Sequence, residues 1–415
     1  MRATHRQTFR ETSCIVLACL FLWHITAAST GAYDLGTIVG DMRQSAFQSG
    51  GTSCPQLTRF DVSGSASINR RWSTSLGSSP ASVLTSAPSA DGRLNEIEAV
   101  IQESLAAWSG VSGTLLVPSS LGTLQRTSAT AACSSSDGLN SICFNQNDPA
   151  FALGVLAFTR VVSADTVGQQ VAPGGPPSTF VGQILDADVL LLPGDPNTKF
   201  ATPSALPANP NAYDLESIVT HELGHSFGFN HSGVWGAIMF PFAPAPGQIA
   251  GVRPTAQSPD APLSDDDRTG LRALYPDPGD SVHIGSISGR VLPANTLALP
   301  LSPAGVTGIF PAQVVALDNT SGSVAAATIA GWSCGGAGPT QFDGTFALQR
   351  LGVSPTQSYR IYAEPLDGPV DLGNVISNLT SLCRNSTTDP GWPAESACTV
   401  PAPVAPFSAR LRPGP

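Results

Sequence analysis

Residues 220–242 read "THELGHSFGFNHSGVWGAIMFPF", and they hold three of the chain's six histidines, His221, His225 and His231. If the run that begins near Asp214 is helical, His221 and His225 stand four apart and project from one face, one turn above the other. Glu222 sits about 100° around the same helix, close enough to reach whatever the two rings hold. His231 could not join them on a continuous helix, because six residues rotate it by about 240° from His225. The helix must therefore stop, and Gly228 lies where a left-handed residue can turn the chain back.

Three neutral imidazoles can bind one zinc ion and leave a tetrahedral position open, which is the catalytic rather than the structural arrangement. Water in that position is acidified by the metal. Glu222 would take its proton during attack on a carbonyl carbon and pass it to the leaving amine.

The complete HExxHxxGxxH in "HELGHSFGFNH", followed by a downstream methionine, resembles the metzincin metallopeptidases. Three further features are similar to the matrixin, or matrix metalloproteinase-like, branch. Ser232 follows the third histidine directly, "AIMFP" places Met239 eight residues after His231, and "LSDDDRTGLRALYP" carries the paired Asp266 and Asp267. The resemblance covers roughly residues 58–276 and is most specific over 214–242 and 263–276. It implies an α+β fold whose catalytic domain is a twisted mixed sheet with a few helices. It also implies one catalytic zinc, with Met239 as an apolar floor beneath it and not a ligand. By the same analogy "DADVLLLP" is the edge strand that pairs with an extended peptide, so Ala187, Val189 and Leu191 are expected to bind substrate together with Pro241 and Phe242. Phe242 stands where the family often has a tyrosine on the substrate-facing wall.

The sequence also departs from the family. A "PRCGxPD"-like cysteine switch is missing, and Cys54 in "GTSCPQL" either pairs in a disulfide or caps the metal as a thiolate. Outside the motif only His5, His24 and His283 remain, too few and too scattered for a second, histidine-rich zinc site. Calcium is a second candidate ion, through Asp186, Asp188 and Asp195.

Around this centre, 415 residues suggest two folded units with appendages. The net charge of -10, without a basic cluster, argues against binding nucleic acid. Residues 1–28 are laid out as a secretory signal peptide, with arginines, an apolar run too short to span a bilayer, and small residues. Residues 29–57 form an N-terminal segment before the catalytic domain at 58–276. Six cysteines follow the signal, and Cys133 and Cys143 enclose a short polar loop that suits a disulfide. "DGRLNEIEAVIQESLAAWSG" has helical apolar spacing with Asp91 available as a cap, and Asp214 and Ser264 are placed to cap two more helices. "GVLAFTRVV" and "GQILDADVLLLPG" read as strands.

"PDPGDSV", residues 276–282, marks the linker, which is set at 277–283. Beyond it, short strands separated by turn residues suggest a β-sandwich domain at 284–400. That part resembles the carboxypeptidase-regulatory or transthyretin-like module, and a Pro-rich tail fills 401–415. The expectation is a secreted monomer, without a transmembrane segment, that hydrolyses protein or peptide substrates. The alternative is a secreted binding or adhesion protein with an idle or structural zinc site, and Glu222 separates the two, because an idle site has no use for a base there.

Overall fold

The computed structural model describes residues 57–63, 68–73, 83–127, 133, 137–144, 151, 155–164, 167–192, 198–293, 308–309, 312–330 and 343–365. Residues 1–28, expected to be a signal peptide, Cys54, Asp195, Cys334, Cys383, Cys398 and the proline-rich tail lie outside them.

Three helices form where local sequence favours them. α1 (Ala90–Ser109) buries Ile97, Val100, Ile101, Leu105 and Trp108 along one face. Its N-cap is Ser89, whose hydroxyl accepts from Gly92 N–H, and Asp91 sits in the first turn instead of capping it. α2 (Leu215–Ser226) starts at Asp214, which accepts from both the N–H and the hydroxyl of Ser217. α3 (Asp265–Leu274) starts with a full capping box between Ser264 and Asp267, which satisfies two otherwise orphaned donors.

A five-stranded sheet lies beside α1 and α2. Its strands are β1 (Arg70–Ser73), β3 (Leu124–Thr127), β4 (Ser141–Cys143), β5 (Ala157–Ser163) and β6 (Ile184–Leu191), in the order β3-β1-β4-β6-β5. All neighbours are parallel except the β6–β5 pair. This is the mixed sheet with few helices expected of the catalytic part. A smaller parallel sheet of β2 (Val83–Leu84), β7 (Phe200–Ala201) and β8 (Tyr213–Asp214) delivers the chain to the start of α2. The disulfide expected between Cys133 and Cys143 is present, anchoring the loop before β4 to the strand.

One expectation is corrected. β6, which contains "DADVLLL", is not an edge strand, because it is hydrogen-bonded to β4 on one side and β5 on the other. Ala187, Val189 and Leu191 are 0% exposed and belong to the core, so none can touch a substrate. The edge on that side is β5.

Beyond α3 the described residues form two antiparallel sheets. One has the order β11-β10-β13, from β10 (Ala312–Asp318), β11 (Val324–Ala330) and β13 (Tyr359–Pro365). The other pairs β9 (Gly285–Arg290) with β12 (Thr345–Leu351). β11 and β12 lie against each other and against α3.

Candidate metal centre

The N-terminal end of α2 is fixed by a forked ion pair. Arg253 reaches Asp214 and Glu216 at 2.6 Å each, and Ala250 N–H donates to Ser217 Oγ at 2.9 Å. From the other side Trp108 of α1 donates its indole N–H to Thr220 O at 2.9 Å. Gly224 faces the same ring, and Met239 fills the space a side chain there would need: an added Cβ would stand 2.2 Å from the Met239 sulfur. Thus α2 is held in position and rotation, and the site is built on its two half-buried histidines.

The three histidines come together as their spacing requires. α2 ends at Ser226, Phe227 follows as its C-cap, and Gly228 takes φ +106°. The turn brings His231 Nε2 to 3.2 Å from His225 Nε2, which is itself 3.1 Å from His221 Nε2. His221 Nδ1 contacts Ile238 O at 2.7 Å and His225 Nδ1 contacts Phe229 O at 2.8 Å. A carbonyl only accepts, so both Nδ1 atoms carry the proton and both Nε2 lone pairs point at each other. Burial, and then the neighbouring rings, keep these imidazoles neutral: His221 is pushed down to about 3 and His225 well below its ordinary value.

Converging proton-free nitrogens repel unless a cation sits between them. A tetrahedral zinc with bonds of about 2.0–2.1 Å needs its ligand nitrogens about 3.3–3.4 Å apart, close to the separations found. The three residues are the one group among the described residues whose ligand atoms lie within 4.8 Å of one another. Asp186 and Asp188, the candidate calcium ligands, are both fully buried, and backbone N–H groups of Asp137, Gly138 and Ser141 occupy one oxygen of each.

Glu222 is 4% exposed, and burial raises its carboxyl to about 7. Thr159 of β5 donates to it, with its hydroxyl 2.7 Å from Glu222 Oε2 and 2.9 Å from Glu222 O. Nothing in the sequence singles out Thr159, since the contact joins residues 63 apart. Met239 is buried beneath the rings' loop, while Pro241 is half-buried and Phe242 is 46% exposed. Phe242 extends an aromatic row through Phe240 to Trp235, with ring centroids 5.8 and 5.0 Å apart.

The loop from His231 to Met239 is closed by Ser232 N–H donating to Met239 O at 2.8 Å. Two of the three aspartates of α3, Asp266 and Asp267, hold it. Asp267 accepts from the N–H groups of Ile238 at 2.8 Å and Met239 at 3.2 Å, and the Ile238 carbonyl in turn accepts from His221. Asp266 accepts from the Ser232 hydroxyl at 2.7 Å, directly after His231. Burial, with Asp267 beside it, lifts Asp266 to about 7.

The sequence profile of the matrixin family matches residues 163–276. Metalloendoproteinase 1-MMP of Arabidopsis thaliana is 34% identical over 106 residues, which are 23% of this chain and 26% of that protein. The chain thus spans about a quarter of the length of this curated relative. Both matches point to a zinc metalloprotease, and zinc is the metal the family implies for the histidine cluster.

Proposed function

We propose that the chain is a secreted zinc-dependent endopeptidase acting on extended protein or peptide substrates. The observation that carries this reading is the convergence of three imidazole Nε2 atoms, those of His221 and His225 proton-free, beside the buried carboxyl of Glu222 on α2. His221, His225 and His231 would hold the ion. When bound, zinc supplies a Lewis acid and lowers the pKa of water at that point.

The protein's own groups do the rest. Glu222 takes the proton of the attacking water and delivers it to the leaving amine, a role that suits a carboxyl raised to about 7. Thr159 fixes the rotation of that carboxylate, so the accepting oxygen does not wander. β5 has a strand neighbour on one side only among the described residues, and its free edge offers backbone groups to an extended chain. Thr159 lies on that strand, so the substrate's backbone and the general base share one support. Pro241 and Phe242 contribute an apolar wall after Met239. Export rests on the signal-like N-terminus, and the matrixin match is in keeping with it. No helix among the described residues is long and apolar enough to cross a membrane.

The test uses the mature chain, zinc analysis, and casein cleavage by wild type, wild type with chelator, and Glu222→Ala. About one zinc per molecule is expected in both proteins, with cleavage reduced by a factor on the order of a thousand in the variant. Equal cleavage by the two would sink the mechanism. A zinc-loaded wild type that cleaves nothing would favour a binding protein.

A further inference from the structure

The loop that carries the residue after His231 is gripped from two sides, and the second side belongs to the C-terminal sheets. Asp266 uses one oxygen for the Ser232 hydroxyl at 2.7 Å and the other for the N–H of Ala327, in β11, at 2.6 Å. Ser232 Oγ also accepts from Val234 N–H at 3.1 Å. Next to this bridge Thr269 of α3 donates to Ala325 O at 2.9 Å. Val234 and Ala237 of the loop are buried in a cluster with Val315 and Ala327. Gln313 of β10 lies over Gly233 so closely that an added Cβ there would stand 2.2 Å from its amide oxygen.

We propose that the C-terminal β-module is a positioning element of the metal centre, latching the 232–237 loop through Asp266 so that His231 is held in register with His221 and His225. The role of the three histidines is that of the reading above, on which this inference rests. Asp266 is the latch because it bonds both the loop and β11. Its burial at 5% exposure makes each lost partner costly. Ala327 is on the outer strand of its sheet, and the N–H it gives to Asp266 points away from β10. The module therefore spends an unused edge group on the catalytic part, which also blunts an edge that would otherwise recruit other strands.

The full-length mature chain is the right material, with four variants. Ala327→Pro removes the N–H without breaking a bond to β10. Asp266→Ala removes the latch, Asp266→Asn keeps an oxygen for Ala327 and an amide that can reach Ser232, and Val291→Ala weakens packing just after β9, in a cluster separate from the one that buries Val234 and Ala237. Amide exchange over residues 232–240 is read in zinc-free protein, followed by zinc retention against a competing chelator, kcat/KM on a peptide, and Tm.

Ala327→Pro is expected to speed exchange in the loop about tenfold and to weaken zinc retention by a similar factor, the size of one lost buried hydrogen bond, and Asp266→Ala, which loses two, should do at least as much. Asp266→Asn should recover most of both, and Val291→Ala should lower Tm with neither changed. Loop exchange and zinc retention in Ala327→Pro that match Val291→Ala would overturn the proposal. If Ala327→Pro does not fold, Gln313→Ala, which only uncovers Gly233, must raise loop exchange or the proposal fails. A wild type that binds zinc and cleaves nothing defeats the endopeptidase reading alone, because exchange and zinc retention still judge the latch.

Discussion

Gly228 is the hinge on which the third histidine turns, and its replacement by alanine has a cost that can be worked out in parts. At φ +106° an L-residue is strained by about 1–2 kcal/mol. A Cβ would also stand 1.9 Å from the carbonyl oxygen of Thr58 and 3.0 Å from its carbon, so backbone must move. The segment that would yield is tied down. Arg59 N–H donates to Gly182 O at 3.1 Å, Ile184 N–H donates to Arg59 O at 2.8 Å, and Phe60 N–H donates to the Tyr275 hydroxyl at 3.0 Å. Losing one such bond costs about 1 kcal/mol and the disturbed packing about 1–3 more. Gly228→Ala should therefore destabilise by about 4 kcal/mol, or about 8–16 °C in Tm for a domain of this size.

Gly236 supplies the control. It has φ +88° with nothing within 4 Å of an added Cβ, so Gly236→Ala should show the strain alone, about 1–2 kcal/mol. Thermal unfolding in excess chelator separates folding from metal linkage, and zinc competition then reports whether His231 has been displaced. Equal shifts in Tm for the two variants would refute the reasoning, because the Cβ at Gly228 meets Thr58, and Leu274 Cδ2 at 3.3 Å, where the Cβ at Gly236 meets nothing.

Other positions give further tests. Thr159→Val strips the donor from Glu222, and kcat/KM should fall about tenfold with zinc content unchanged, measured by peptide turnover and metal analysis. Tyr275→Phe removes a hydroxyl that donates to Phe227 O at 2.8 Å and accepts from Phe60 N–H, so it should cost about 2 kcal/mol in urea unfolding. Asp188 is raised to about 7 by burial and then by Asp186, with Asp137 and the guanidinium of Arg70 also close. An unfolded aspartate ionises near 3.9, so between about pH 4 and 7 the unfolded chain has lost a proton that the folded chain keeps. Stability should then fall as pH rises through that window, by an amount on the order of 4 kcal/mol, and Asp188→Asn should flatten the fall. Urea midpoints at pH 4.5 and 8 check it, and a variant with an unchanged pH slope would remove Asp188 as the cause.

The parts of this protein that were legible in its sequence are those whose causes are local. The caps at Asp214 and Ser264, the four-residue spacing of His221 and His225, and the break at Gly228 follow from helix geometry within a few residues. The cap of α1 shows how fine the limit is, since the expectation fell on Asp91 and the structure uses Ser89, two residues earlier. Strand order is non-local, and there the reading of β6 failed. The two aspartates of "ILDADVLL" hide an interior strand, and only the structure shows that every residue of β6 but Leu185 is buried while six of the seven residues of β5 are half-buried. Thr159 was equally hidden, because a threonine in a strand becomes a partner for Glu222 only once β5 is laid beside α2.

The boundary between the two parts of the chain carries a further lesson. Residues 276–282 have the composition of a free linker, yet Pro276 bridges to Thr114, Asp277 N–H donates to Gly113 O at 3.3 Å, and Val282 O accepts from Val353 N–H at 2.7 Å. Proline, glycine and aspartate state which backbone conformations a segment prefers, and they are silent on whether the units it joins pack together. The better indicator was in the loop after His231. "GVWGA" has no regular structure to bury its apolar side chains, so Val234 and Ala237 would face water if the catalytic part stood alone. They are buried because Val315 and Ala327 cover them. Val234 and Ala237 therefore have their cover elsewhere in the chain, although Trp235 between them is 83% exposed, and the covering surface and the residue after the third histidine are joined by Asp266.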